Sequence, residues 1–118
     1  MSAGTGSGKA VNLTELARGI RARHRHLTVA DVNDHRLTLA VNEEPYPWHA
    51  HPNSDELFVV LEGVLTIEFE GGVAVELGPM DTRVVPAGTV HRTIPRGRCV
   101  NVVFEIAGTE TRWEQEGR

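Results

Sequence analysis

The sequence is poor in cysteine and in aromatic residues. Its 118 residues include one cysteine, Cys99, and only six aromatic residues. Cys99 has no partner for an intramolecular disulfide, which agrees with a reducing compartment. Because Cys99 lies in an apolar strand-like segment, we expect a buried small hydrophobe; the alternatives are a nucleophile and a metal ligand.

Long apolar runs are also absent. None approaches the roughly 18 residues needed to cross a bilayer, so no membrane partner is expected. The first ten residues, MSAGTGSGKA, lack the apolar middle of a secretory signal, and we therefore expect a cytoplasmic protein. Their Gly and Ser content predicts a flexible arm over residues 1–10, followed by a single domain over residues 11–118.

Positive charge is scarce over most of the chain. Residues 1–36 carry six Lys or Arg against three acidic residues, whereas residues 37–118 carry six against thirteen. The longer part of the chain therefore has a negative net charge, which repels phosphate backbones. With few aromatic residues available for base stacking, nucleic acid is not an expected partner.

A helical pattern occurs once, near the N-terminus. Asn12 or Thr14 can cap a helix there. The apolar positions at helical spacing are Leu13, Leu16, Ala17 and Ile20. We expect a short amphipathic helix packed on the outside of the domain, with its basic face in solvent.

After this helix the apolar residues recur at the period of two that is typical of strands. Seven strand-like segments follow one another, with turn residues between them and no helical pattern among them. The segments are LTVADV, RLTLAV, ELFVVLE, VLTIEFE, VAVEL, TRVVP and VNVVFEI. This succession predicts an all-β protein, either an antiparallel sandwich or a barrel.

Two histidines one residue apart, His49 and His51, indicate a metal site. They lie in an extended segment, where residues i and i+2 face the same side, so both imidazoles can reach one point. Glu56 begins a strand that we expect to run antiparallel to this segment, and His91, after a tight turn, is the candidate for a fourth ligand. Three imidazoles and one carboxylate suit Fe, Mn, Ni, Cu or Zn, with positions left open.

The alternative is that these four residues are ordinary polar residues that bind nothing. A second His-x-His pair, His24 and His26, lies at the end of the helical stretch. Residues two apart on a helix point about 200° apart, so these imidazoles cannot close on one ion. We expect both to be solvated.

Two motifs together resemble those of the cupins, specifically small cupins with one conserved barrel and loose similarity to mannose-6-phosphate isomerases. The matching residues are His49, His51, Glu56 and Gly63 in the first motif, and Pro86, Gly88 and His91 in the second. The resemblance covers roughly residues 37–107. It implies an antiparallel jelly-roll β-barrel over 37–107, often dimeric, with one divalent transition metal per chain held by His49, His51, Glu56 and His91.

Three positions depart from the family pattern. Glu43 and Met80 stand where the family has turn glycines, and Pro95 stands where it has asparagine. We expect the glycines of the turns at 70–72 and 78–80 to take up some of the strain. The departures concern turn geometry and the surroundings of the last histidine, and all four ligands are present.

Strand parity predicts the rest of the pocket. If the ligands face inward, the residues that share their side of the chain are Phe58, Val60, Thr89 and Thr93. Trp48 then faces away and packs against the helix or a second subunit. At the rim, Tyr46 and Arg92 are weak candidates for a proton donor and an anion binder, the alternatives being a packed tyrosine and a solvated arginine. Arg83 and Glu105 receive no role.

Three functions fit these residues. The first is a metal-dependent enzyme acting on a small organic molecule, either an oxygenase or an enzyme of the isomerase, lyase or cyclase type. The second is a non-catalytic, metal-dependent module that binds a sugar or another small molecule. The third is a structural barrel that serves dimerisation; a homodimer is expected from the resemblance in each case.

Overall fold

The protein is an antiparallel β structure with one short helix. The computed structural model describes residues 8–114, so most of the predicted arm over 1–10 lies outside the described residues. The elements are α1 (Leu13–Arg18), β1 (His24–Val32), β2 (His35–Asn42), β3 (Tyr46–Ala50), β4 (Glu56–Phe69), β5 (Ala74–Leu77), β6 (Thr82–Val85), β7 (His91–Ile106) and β8 (Arg112–Trp113). The predicted all-β fold with a short N-terminal helix is confirmed. Within residues 8–114, no helix is long and apolar enough to cross a membrane.

Helix α1 covers the outer face of the sheet. It begins after Asn12, whose side-chain oxygen accepts a hydrogen bond from the Glu15 N–H at 2.9 Å. It ends at Arg18, and Arg98 of β7 donates to the carbonyl of Ala17 at 2.9 Å. Ala17 of the helix and Ile20, which lies two residues beyond its end, pack in one apolar cluster with Val29, Leu39, Val41, Val100 and Val102. The helix is therefore held by apolar burial on one side and by a capped carbonyl at its end.

The two long strands, β4 and β7, join the two layers of the barrel. They pair antiparallel with each other along both halves. The first half of β7 also pairs with β3, and its second half pairs with β2. β5 and β6 pair with β4. Each long strand therefore changes its second partner halfway along and belongs to both layers.

Gly63 lies where β4 bends. The register between β4 and β7 shifts twice here, between Val60 and Glu62 and again between Glu62 and Val64. Gly63 has φ +78°, and a Cβ atom there would lie 2.5 Å from the carbonyl oxygen of Arg98. Only glycine fits here. Every other residue disfavours a positive φ and has a Cβ atom, which would collide with this carbonyl oxygen. The sequence pattern predicted two strands that meet at this glycine, whereas the structure has one bent strand.

The interior of the barrel is an apolar cluster on the inward-facing positions of the strands. It contains Phe58, Val60, Leu65, Ile67, Phe69, Leu77, Val85, Cys99 and Val103. Cys99 is fully buried, and this burial raises the pKa of its thiol to about 11. The cysteine is thus a protonated, apolar core residue, as expected from the sequence.

Two expectations about local structure were wrong. β3 pairs with β7 and β8, not with β4, so Glu56 does not reach the histidines through a β3–β4 hairpin. Gly71 and Gly72 take positive φ values, 99° and 96°, but Gly78 does not, and Met80 itself takes the left-handed conformation, with φ 70°. Asp81 instead stabilises this turn by accepting a hydrogen bond from the Gly78 N–H at 2.8 Å.

The bend at Gly63 should tolerate alanine less well than another left-handed glycine. Gly71 has φ +99°, but no atom lies within 4 Å of the place that a Cβ atom would take, so Gly71→Ala meets only backbone strain. Such strain costs about 1–2 kcal/mol. Gly63→Ala carries that cost and must also displace the Arg98 carbonyl. Its free energy of unfolding should therefore fall clearly more than that of Gly71→Ala. Urea unfolding at constant m-value measures both variants; equal losses would contradict the close approach.

Candidate metal centre

Four potential ligands converge where three strands begin or end. His49 lies on β3, His51 directly follows it, Glu56 is the first residue of β4, and His91 is the first residue of β7. One nitrogen or oxygen atom from each of the four lies within 4.8 Å of the other three. His49 pairs with His91 in the β3–β7 ladder, with ring centroids 4.4 Å apart. The structure thus brings together all four residues that the sequence predicted as metal ligands.

Backbone carbonyls fix the orientation of all three imidazoles. In each ring Nδ1 lies at hydrogen-bonding distance from a main-chain oxygen, to which a protonated Nδ1 donates. The pairs are His49 with Pro47 at 2.7 Å, His51 with Glu110 at 3.0 Å, and His91 with Thr89 at 2.8 Å. This arrangement leaves Nε2 of each ring available as a ligand, as in known metal sites whose histidines are oriented by a second partner.

Glu56 carries a negative charge inside this group. Its Oε1 atom lies 3.1 Å from Nε2 of His91 and 3.4 Å from Nε2 of His51. Burial alone would raise the pKa of Glu56, but hydrogen bonds and charge from His51 and His91 lower it to about 2. The carboxylate is therefore ionised over the whole neutral range and supplies an anionic oxygen to the site.

The first two histidines differ in their protonation. Burial, together with charge on the neighbouring rings, lowers the pKa of His49 to about 4. Burial also disfavours the charged form of His51, but the hydrogen bond and charge of Glu56 outweigh it and raise the pKa of His51 to about 8. In the protein without an ion, an incoming cation must therefore displace a proton from His51 at neutral pH.

The four ligand atoms fit a single transition-metal ion. Ligands on opposite sides of an ion at about 2.0–2.2 Å lie about 4.2 Å apart, and the observed limit of 4.8 Å is close to this value. The donor set of three imidazole nitrogens and one carboxylate oxygen suits borderline divalent ions. His49, His51, Glu56 and His91 are thus the residues that could hold a metal.

A cavity of about 180 Å³ opens beside this group. Its wall combines apolar side chains with polar groups. The lining residues are His26, Ala40, Asn42, Tyr46, His49, His51, Glu56, Phe58, Thr93, Asn101, Val103, Glu105 and Thr111. Of the predicted pocket residues, Phe58, Thr93 and Tyr46 lie on this wall. Val60 instead lies in the apolar core, and Thr89 contributes its carbonyl, to His91.

Arg92 lies outside this cavity, contrary to expectation. It follows His91 in an extended strand, so its side chain points to the opposite face. There its Nε donates to Oε1 of Glu68 at 2.7 Å, and its guanidinium lies 4.9 Å from the ring centroid of Trp48. Trp48 thus faces away from the ligands as predicted, and the group that lies over its ring is Arg92. Trp48 is not part of the apolar cluster beneath the helix, where one of the two predicted contacts would have placed it.

The pair His24 and His26 was placed on the wrong element. Both residues belong to β1, where they share one side, with ring centroids 5.5 and 5.8 Å from that of Tyr46. Both are exposed, as expected, yet His26 also lines the cavity, and desolvation there lowers its pKa. Neither residue belongs to the four convergent metal ligands, as predicted. The reason given for that prediction, that both lie on a helix, was wrong.

Glu105 is one of the cavity residues that the sequence did not identify. Its Oε1 atom is buried and is the one such side-chain atom in residues 8–114 without a hydrogen-bond partner. Burial, with the charge of Glu56, raises the pKa of Glu105 to about 7. The other polar wall residues include Asn42, which donates to Asn101 at 2.9 Å. Alternation along β7 could have indicated that residues 101, 103 and 105 share one face, but not that this face borders a cavity.

Known proteins share both the sequence pattern and the fold. The Cupin domain family model matches residues 35–104. The uncharacterized protein YdbB of Bacillus subtilis (strain 168) is 43% identical over 103 residues, which are 87% of this chain and 91% of YdbB. A cupin-2 domain containing protein from Shewanella frigidimarina NCIMB 400 has a TM-score of 0.77 at 26% identity, covering 81% of this chain and 93% of that one.

A second solved structure is similar in fold alone. DMSP lyase DddQ from Ruegeria pomeroyi DSS-3 has a TM-score of 0.68 at 22% identity, and the match covers 86% of this chain and 60% of that one. The family match spans more than half of the chain, and the relative in Bacillus subtilis covers most of it. The chain therefore belongs to the cupin family, and its antiparallel barrel is a jelly roll of that family.

Proposed function

We propose that the protein is a metal-dependent cupin that holds one divalent transition metal per chain and acts on a small organic molecule. One observation carries this proposal. Three imidazoles, each with Nδ1 engaged by a backbone carbonyl, converge with the carboxylate of Glu56, and one donor atom from each of the four residues lies within 4.8 Å of the others. Such an arrangement supplies four neutral or anionic donors to one point and is what a bound cation requires.

The cavity sets the size of the molecule that can reach the metal. A volume of about 180 Å³ corresponds to about six water molecules at ~30 Å³ each. Phe58, Ala40 and Val103 make part of the wall apolar, which limits the access of water to a bound molecule. Tyr46 lies on the same wall, and burial with the charges of Glu56 and Glu105 raises its pKa, so its phenol stays a hydrogen-bond donor.

The reaction class stays open between oxygenase chemistry and isomerase, lyase or cyclase chemistry. A metal in this position would supply Lewis-acid or redox activation of an oxygen-bearing ligand. The lyase class has some support in the similar fold of DMSP lyase DddQ. The alternative is a non-catalytic, metal-dependent module for a sugar or another small molecule. The enzyme is favoured by Glu105 on the cavity wall, because a carboxyl with a pKa near 7 is suited to proton transfer.

The metal content of the purified protein tests the proposal. Wild-type protein, purified without chelator or added metal, should contain about one transition-metal ion per chain by elemental analysis. His51→Ala and Glu56→Gln each remove one of four ligands, so metal affinity should fall by more than the about 10–100-fold typical of losing a residue that only orients a ligand. His24→Ala, from the other His-x-His pair, is the control and should keep its metal.

Circular dichroism must show that the ligand variants keep their β structure. Unchanged metal content in folded His51→Ala and Glu56→Gln protein would contradict the proposal. Iron or copper in the wild type would favour oxygen chemistry, whereas zinc or nickel would favour Lewis-acid chemistry or binding.

Metal affinity should depend on pH because of His51. Its pKa of about 8 in the ion-free protein means that the imidazole is neutral above this pH and protonated below it. A cation must then displace the proton, so affinity should fall by about tenfold per pH unit from about pH 8 downward. Competition calorimetry with Zn²⁺ at pH values from about 9 to about 6 measures this slope; a flat affinity would argue against His51 as a ligand.

We further propose that the chain forms a homodimer in the cytoplasm, as expected from the sequence. Light scattering should give a mass of twice the 12.9 kDa chain. A monomer at micromolar concentration would contradict this prediction.

A further inference from the structure

The unpartnered oxygen of Glu105 marks a position that the protein alone leaves incomplete. Oε1 of this residue is buried without a hydrogen-bond partner, while the residue itself lines the cavity. An unsatisfied buried polar atom destabilises a folded protein, and native proteins retain few of them. A carboxyl that faces a cavity in this state is available to a molecule that enters the cavity.

Strand register places this carboxyl beside the metal group but outside it. Phe104 pairs with Leu57, so in the antiparallel ladder Glu105 lies next to Glu56. Glu56 is engaged by His51 and His91, whereas Glu105 is not among the four convergent ligands. The two neighbouring acids are therefore unequal: one faces the metal position, and the other has an oxygen to offer to a ligand.

Apart from the imidazoles of the metal group, the cavity wall offers Glu105 no cationic side chain. Among residues 8–114, the wall contains no Lys or Arg. Phosphates and dicarboxylates are usually bound by such side chains, Arg above all. Arg36 lies opposite Glu105 in the β2–β7 ladder, but its guanidinium is bound to Asp31 and does not line the cavity. A second anionic group on the ligand would therefore be repelled by Glu105.

We propose that Glu105 is the second anchoring point of the cavity, and that the site takes a small ligand with a metal-binding oxygen at one end and an ammonium or similar cationic N–H group at the other. This inference rests on the proposed metal centre, which holds the first end. The second end donates to the free oxygen of Glu105 and cancels its charge. The ligand class excludes phosphate esters and dicarboxylates of the same length.

Three small carboxylates of equal chain length test the inference. Butyrate, β-alanine and succinate share the carboxylate that would bind the metal and the two methylene groups next to it, and they differ at the far end, which is methyl, ammonium or carboxylate. Each is titrated into Zn²⁺-loaded protein at about pH 8, well above the ordinary pKa of a carboxyl group. Amide chemical shifts of Phe58 and Thr93 report binding, because both residues line the cavity.

β-Alanine should bind about tenfold more tightly than butyrate, the size expected for a hydrogen bond to a charged group, and succinate should bind more weakly than butyrate. Glu105→Gln keeps the shape of the side chain and should reduce the preference for β-alanine to about twofold or less. Glu76→Gln is the matched control, because Glu76 is an exposed acid paired with Arg96. This variant changes the net charge by the same amount, and it should bind β-alanine, butyrate and succinate in the same order of affinity as the wild type.

The outcomes separate this inference from the proposed function. Zinc content is measured before and after each titration. Wild-type protein that holds zinc but does not prefer β-alanine, or a Glu105→Gln variant that keeps the preference, overturns the role of Glu105 alone. Wild-type protein that holds no zinc overturns the metal centre, and this inference with it.

Discussion

The pairing of β4 with β7 is the constraint on which both the barrel and its site depend. These strands run antiparallel along both halves, and each changes its other partner at a bend. The bend requires Gly63, because the Arg98 carbonyl lies where any Cβ atom would be. Without that close approach the long strands could not belong to both layers.

The same pairing carries the chemistry of the site. β4 begins with Glu56, and β7 begins with His91 at one end and carries Glu105 near the other. The bend brings both ends of β7 close to the start of β4. Electrostatic asymmetry follows from this placement: Glu56, in contact with two imidazoles, is strongly ionised, while its neighbour Glu105, which has no such contacts, is easily protonated. Two acids on adjacent strands thus have different roles available to them.

The backbone determines the orientation of the ligands as much as the side chains do. The oxygens of Pro47, Thr89 and Glu110 hold the three rings, and none of these contacts depends on the identity of the side chain that provides the oxygen. This explains why departures such as Met80 and Pro95 leave the ligand group intact. Met80 adopts the left-handed conformation that its turn requires, and the orientation of the ligands does not depend on its side chain.

Local signals in the chain were sufficient to predict the strand-rich fold, the capped helix and the four convergent ligands. These signals are alternation, an Asn cap, and motif spacing that few other structures satisfy. The folded chain was needed to assign the strand partners, to include His26 and Glu105 in the cavity wall, and to exclude Arg92 from it. The physical reason is that alternation shows which residues share a face of one strand. Which cavity, core or solvent that face meets depends on pairings between residues far apart in the chain.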